Sequence, residues 1–187
     1  MRIDMTNQFD PDQAETLVDI ASQHGLFLKV HYTDWLKLPN LEKFPDLGIG
    51  AANVGPEFAA AIIEALKELE EKEREVLKEA GKEEECSDFM DILKDTAVHQ
   101  APWEKFAPED LNEEELEEFA KENKENIAFC VGRYVMNETQ VLEARKILYE
   151  NIREYNSVED PHDFVIEKIR ESIGRYVEAF NLESTAD

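Results

Sequence analysis

Residues 48–58, Gly48-Ile49-Gly50-Ala51-Ala52-Asn53-Val54-Gly55-Pro56-Glu57-Phe58, run through small side chains into what reads as the first turn of a helix. The first amides of a helix have no intrahelical partner and sit at the positive end of its dipole. Such a segment can hold an anion or a phosphate, with Gly50, Asn53, Val54 and Gly55 placed to touch it. Glu57 opposes this, because a carboxylate in the first turn competes for the same field. Tight packing of strand against helix would call for the same small residues. The segment is no G-x-x-x-x-G-K-[ST] loop, and Asn53 stands where the third glycine of G-x-G-x-x-G belongs.

A second place for chemistry is His31-Tyr32-Thr33-Asp34. An imidazole at a strand end could bind a metal or carry a proton, and Asp34 could orient it. A hydrogen-bonded structural histidine is the plainer alternative. His24, His99 and His162 lie in unrelated contexts, so the sequence predicts no metal site, with His31 the one weak candidate and no cofactor expected. There is no Gly-x-Ser-x-Gly elbow, no His-Glu-x-x-His and no cysteine in a catalytic setting.

These residues need elements to position them. Asp10 is a good N-cap with Pro11 at the first helical position and Gln13 completing a capping box, and Gly25 is a stop, so a helix is predicted between them. Residues 26–32 follow as a strand whose alternation puts Leu26, Leu28 and Val30 on one face and Phe27, Lys29 and His31 on the other. Pro39 and Pro45 punctuate a short segment that can hold an irregular helix. Residues 47–54 read as a second strand, so rich in small residues that something must approach its backbone. Two strands so connected are expected to be parallel. Pro56 then opens a long helix ended by Gly81, whose stretch from Lys67 to Lys78 reads as an exposed face laced with pairs such as Glu70–Arg74. Beyond the acidic joint Glu83-Glu84-Glu85 everything reads helical. Ser87, Asn112 (with Glu115) and Asn137 are the expected caps, and Asp160-Pro161 opens the last helix. The division expected is residues 1–81, with both strands, and residues 82–187, all helical.

The 187 residues carry 44 acids against 20 bases, a formal charge of −24. Such a surface repels phosphate backbones and anionic membrane leaflets, so neither nucleic acid nor membrane is an expected partner. No apolar run reaches the roughly 20 residues that span a bilayer, and the first residues lack an apolar signal core. Cys86 and Cys130 fit no ligand spacing and read as reduced thiols. A cytoplasmic protein is expected.

Residues 24–36 (His24 to Leu36), together with the Gly48 to Phe58 motif, resemble the C-terminal part of the tagatose-bisphosphate aldolase accessory subunit family, the non-catalytic relatives of class II aldolases. The stretch from His162 to Tyr176 is similar to the family's tail. The resemblance implies a partial TIM-type (β/α)8 barrel, in which residues 26–32 and 47–54 are the last two strands, followed by an all-α region. Phosphate often sits after those strands. His31 and Asn53 would occupy places similar to a zinc-ligating histidine and a phosphate-adjacent asparagine of catalytic class II aldolases. Tyr32-Thr33-Asp34 stands where those enzymes carry a glycine-rich loop.

The expected function is therefore in carbohydrate metabolism. The chain would support a partner or contribute to a sugar-phosphate site, with Gly50, Asn53, Val54, Gly55, His31 and Asp34 as candidate contacts and without independent catalysis. The alternative is a helical interaction or assembly module without sugar chemistry. Zinc enters only with a third reading, a metal-dependent aldolase assembled from two chains. A whole barrel takes roughly 200 to 250 residues, and two strands alone leave open edges. A homo-oligomer, or a partner chain supplying the rest of the barrel, is expected.

Overall fold

The computed structural model describes residues 9–182. Helix α1 (Pro11–Gln23) starts where Asp10 Oδ1 accepts from the amides of Asp12 and Gln13 at 3.1 and 3.2 Å. It ends at Gly25, whose φ of +68° lets Gly25 N reach Ser22 O and Leu26 N reach Ala21 O. Strand β1 (Lys29–Val30) and strand β2 (Ala51–Ala52) pair in parallel, with Lys29 beside Ala51 and Val30 beside Ala52. The regular ladder is shorter than the runs 26–32 and 47–54 predicted from composition. One reason is Tyr32, whose positive φ turns the chain out of the extended region just past β1. Between the strands lie two single-turn helices, α2 (Leu38–Leu41) and α3 (Lys43–Asp46).

The long helix α4 (Pro56–Ala80) begins on its proline and is closed by Gly81 at φ +68°. Then come α5 (Phe89–Gln100), α6 (Glu113–Glu122), α7 (Lys124–Val131), α8 (Thr139–Glu154) and α9 (Pro161–Ala179). Asn112 and Glu115 form the predicted capping box of α6. Asp160 caps α9 through the amides of His162 and Asp163. Among the described residues no helix is long and apolar enough to cross a membrane.

Two compact units emerge. One comprises residues 59–169, the other residues 9–58 with 170–182. In the first, Ile63, Leu66 and Leu69 of α4 pack with Phe89 and Leu93 of α5, Val131 of α7, and Val141, Leu148 and Ile152 of α8. In the second, the strands carry Val30, Ala52 and Val54 on one face. These pack with Leu41, Phe44 and Phe58 and with Tyr176, Ala179 and Phe180 from the end of α9. Tyr176 meets Phe58 edge-on at 5.6 Å between ring centroids.

Three local expectations are corrected. Ser87 does not cap α5: Asp88, in the left-handed region, is the boundary residue, and the Ser87 hydroxyl donates to Glu73 Oε2 at 2.6 Å. Asn137 does not cap α8, which starts after Glu138 without a side-chain cap. The stretch from Lys67 to Lys78 is not one exposed face. Its Glu70–Arg74 pair forms at 3.0 Å, yet Glu70 is buried and Glu73 is 0% exposed. Residues 66, 69, 70, 73 and 77 share a helix face by their spacing, so both glutamates interrupt the apolar stripe.

Glu73 is matched inside the helical unit. Its Oε1 accepts from Ser87 N at 3.1 Å and Asn151 Nδ2 at 2.7 Å. Glu70 accepts from Met90 N at 3.3 Å, serving the start of α5 in place of a local cap. Cys86 lies against this group, with Sγ 3.4 Å from Glu73 Oε2. Burial first, with Glu73 nearby, pushes its thiol up to about 11. The thiol is therefore protonated at neutral pH. Alkylation of Cys86 at pH 7.5, followed by mass spectrometry, is expected to be at least about tenfold slower than for a free cysteine, whose pKa is about 8.5. Labelling at the free-cysteine rate would show a thiolate there.

Candidate functional site

The strand pair carries the site residues, and its two faces differ. Val30 and Ala52 point into the apolar cluster, so alternation turns Lys29 and His31 of one strand, and Ala51 and Asn53 of the other, to the opposite face. All four are exposed. The register continues past the ladder: Asn53 N donates to Val30 O at 2.9 Å, and Asn53 O accepts from Thr33 Oγ1 at 2.9 Å. His31 and Asn53 thus lie side by side on an open face. Phe27 is 85% exposed on the same side. A Cβ on Gly50 would come within 2.7 Å of Phe27 Cβ, so the close approach expected at the second strand is that of Phe27.

The other candidates are engaged inward. Val54 packs in the apolar cluster. Asp34 is 7% exposed, and its Oδ1 accepts from the amides of Gly55 and Glu57, each at 2.9 Å. The start of α4 therefore already holds an anion, supplied by the chain itself. Next to it, Glu57 is 5% exposed. Its Oε1 accepts from Arg175 Nη1 at 2.8 Å, and its Oε2 from Trp35 N and the Tyr176 hydroxyl. Arg175 Nη2 also donates to Leu36 O at 2.6 Å. Burial, then the hydrogen bond to Glu57, raises the Tyr176 phenol well above its ordinary range, so it remains a donor. This carboxyl–guanidinium–phenol group was missed in the sequence, where Glu57 read only as a rival for an anion. Arg175 and Tyr176 lie more than a hundred residues from it.

A zinc ion usually takes three or four protein ligands. Among the described residues, two groups of three ligand-type side chains converge: Glu70 with Cys86 and Asp88, and Asp160 with His162 and Asp163. Arg74 occupies Glu70 and Asp88, and Asp160 is spent on capping α9. His31 belongs to neither group. Among the described residues, no two further ligand-type side chains converge with His31, short of the set a zinc ion needs.

A solved chain from Sinorhizobium meliloti 1021, named a probable tagatose 6 phosphate kinase, shares the fold with a TM-score of 0.66 over 93% of this chain at 15% sequence identity. The match takes in 49% of that chain, so the protein described here spans about half the length of the structure it resembles. No curated protein matches the chain. Residues 3–181 match the family described as D-tagatose-1,6-bisphosphate aldolase subunit GatZ/KbaZ-like, and the chain belongs to that family.

Proposed function

We propose that the chain serves carbohydrate metabolism in the cytoplasm as an accessory, non-catalytic subunit related to tagatose-bisphosphate aldolase. Its two strands would be the last two of a TIM-type barrel, and their open face would be the side turned to a sugar phosphate. The observation that carries this reading is the placement of His31 beside Asn53 on that open face. An imidazole and a carboxamide side by side can hydrogen-bond hydroxyl and phosphate oxygens. The amides of Gly55 and Glu57 are not assigned to the ligand, because Asp34 occupies them. Among the described residues, no proton-transfer pair with a third orienting group is assembled around His31, which favours support of a partner over independent turnover.

One observation favours the second reading, an assembly module without sugar chemistry. The helix terminus best suited to phosphate is closed by the chain's own carboxyl group. An activity assay separates the two. Cleavage of tagatose 1,6-bisphosphate is followed with a catalytic class II aldolase alone, with this chain alone, and with both. The expected result is no turnover by the chain alone and an increase of at least about twofold in the rate or half-life of the catalytic enzyme. Equal rate and half-life with and without the chain would favour the assembly module.

A further inference from the structure

Between β1 and α2 the backbone enters the left-handed region twice, at Tyr32 with φ +60° and at Trp35 with φ +55°. Neither residue is a glycine, so each position carries steric strain, which persists only where surrounding contacts over-determine the chain. Those contacts come from two places. At the start of α4, the amides of Gly55 and Glu57 donate to Asp34 Oδ1, and Glu57 Oε2 accepts from Trp35 N. From the end of α9, the Tyr176 hydroxyl reaches both Glu57 Oε2 and Thr33 O, the latter at 3.1 Å, with a single proton for the two. Arg175 links Glu57 Oε1 at 2.8 Å to Leu36 O at 2.6 Å. Every residue from Thr33 to Leu36 is thus tied down. Tyr32 lies at the edge of this clamp, its ring centroid 6.4 Å from that of His31.

The clamped segment is also what joins the two candidate site residues. Thr33 Oγ1 and Thr33 N both donate to Asn53 O, at 2.9 and 3.4 Å. The position of Thr33 therefore sets how His31, two residues earlier, stands against Asn53. From this geometry we propose that Arg175 and Tyr176 are positioning residues for the His31–Asn53 face, acting through Glu57 and residues 33–36. The proposal rests on the reading of that face as the side turned to a sugar phosphate. Tyr176 itself stays away from the face: it is 4% exposed and packs in the apolar cluster on the other side of the strands. Two observations favour positioning over stability alone. The polar contacts of the group end on main-chain atoms of the strained segment, so they select its conformation. A buried ion pair is also a poor source of net stability, since apolar side chains of similar volume often do as well or better.

Tyr176→Phe tests this, because it removes the hydroxyl and keeps the ring that packs against Phe58. Without ligand, hydrogen exchange of the Trp35 amide, taken relative to that of Asn53, is expected to quicken at least about fivefold, the scale of one lost hydrogen bond. The nuclear Overhauser contact between the His31 ring and the Asn53 side-chain amide should be lost. Binding of tagatose 1,6-bisphosphate should weaken by about fivefold or more for the same reason. Thr33→Val, which removes the hydroxyl bonded to Asn53 O, should reproduce the lost contact with Tyr176 intact. Phe44→Leu is the control, since its ring stacks on Phe9 and Phe180 and takes no part in the clamp. It should lower the melting temperature and leave the exchange ratio, the His31–Asn53 contact and sugar binding as in the parent. An unchanged exchange ratio or contact in Tyr176→Phe, unweakened sugar binding despite the lost contact, a contact kept in Thr33→Val, or the same changes in Phe44→Leu would each overturn the proposal. If the parent chain binds no sugar phosphate, the functional reading falls, and the ligand-free measurements still decide whether Tyr176 positions His31 against Asn53.

Discussion

Glu73→Ala is expected to destabilise the helical unit by about 4 kcal/mol. The substitution leaves a void at a fully buried position and strips acceptors from Ser87 N, Ser87 Oγ and Asn151 Nδ2. A buried polar group without a partner costs roughly 1–3 kcal/mol. Asn151 retains Glu85 O at 2.9 Å, so the three losses do not simply add. Glu73→Gln is the informative companion. Its carbonyl oxygen can take the place of Oε1 for Ser87 N and Asn151, and its amide can donate to the Ser87 hydroxyl, reversing one hydrogen bond without losing it. The glutamine variant should therefore stay within about 1 kcal/mol of the parent. Urea melts of the three proteins decide this, and equal losses for alanine and glutamine would show that the hydrogen bonds do not carry the stability.

The second large effect is expected at Arg175. Arg175→Met removes the ion partner of a buried carboxyl group and one donor from Leu36 O. Loss of one partner from a fully buried pair costs about 3–5 kcal/mol. The Arg175 side chain is partly exposed, so solvent screening lowers the expectation to about 2 kcal/mol. Glu57→Gln in the same chain should recover part of this, because the remaining side chain no longer needs a cation. A thermodynamic cycle over the two positions measures the coupling. Full additivity would mean that the pair contributes nothing beyond packing.

Much of the local structure was legible in the residues. Asp10, Pro11 and Gly25 delimit α1 because capping and left-handed stops are decided within a few residues. Asn112 and Glu115 are read for the same reason. The parallel sense of the strands followed from the length of the connection between them. Less could be read where tertiary partners override local rules. Ser87 has the side chain of a cap, but a buried Glu73 fourteen residues earlier takes its hydroxyl. Glu70 and Glu73 resemble surface charges until their place on the stripe of Leu66, Leu69 and Leu77 is counted. At the candidate site, the alternation placing His31 with Lys29 was visible, and so was the anion-binding character of the start of α4. That Asp34 provides the anion was not visible, because it depends on the turn at Tyr32 and Trp35, both at positive φ. The return of Arg175 and Tyr176 to the same place is a long-range contact with no local signature.

The most direct test of the account is a titration of the isolated chain with tagatose 1,6-bisphosphate and with inorganic phosphate, followed by NMR. The account predicts saturable shifts of the His31 ring and the Asn53 side-chain amide with the sugar bisphosphate, and no saturable shift of the Gly55 and Glu57 backbone amides with either ligand. Silence at His31 and Asn53, or a saturable response to inorganic phosphate at Gly55 and Glu57, would contradict it.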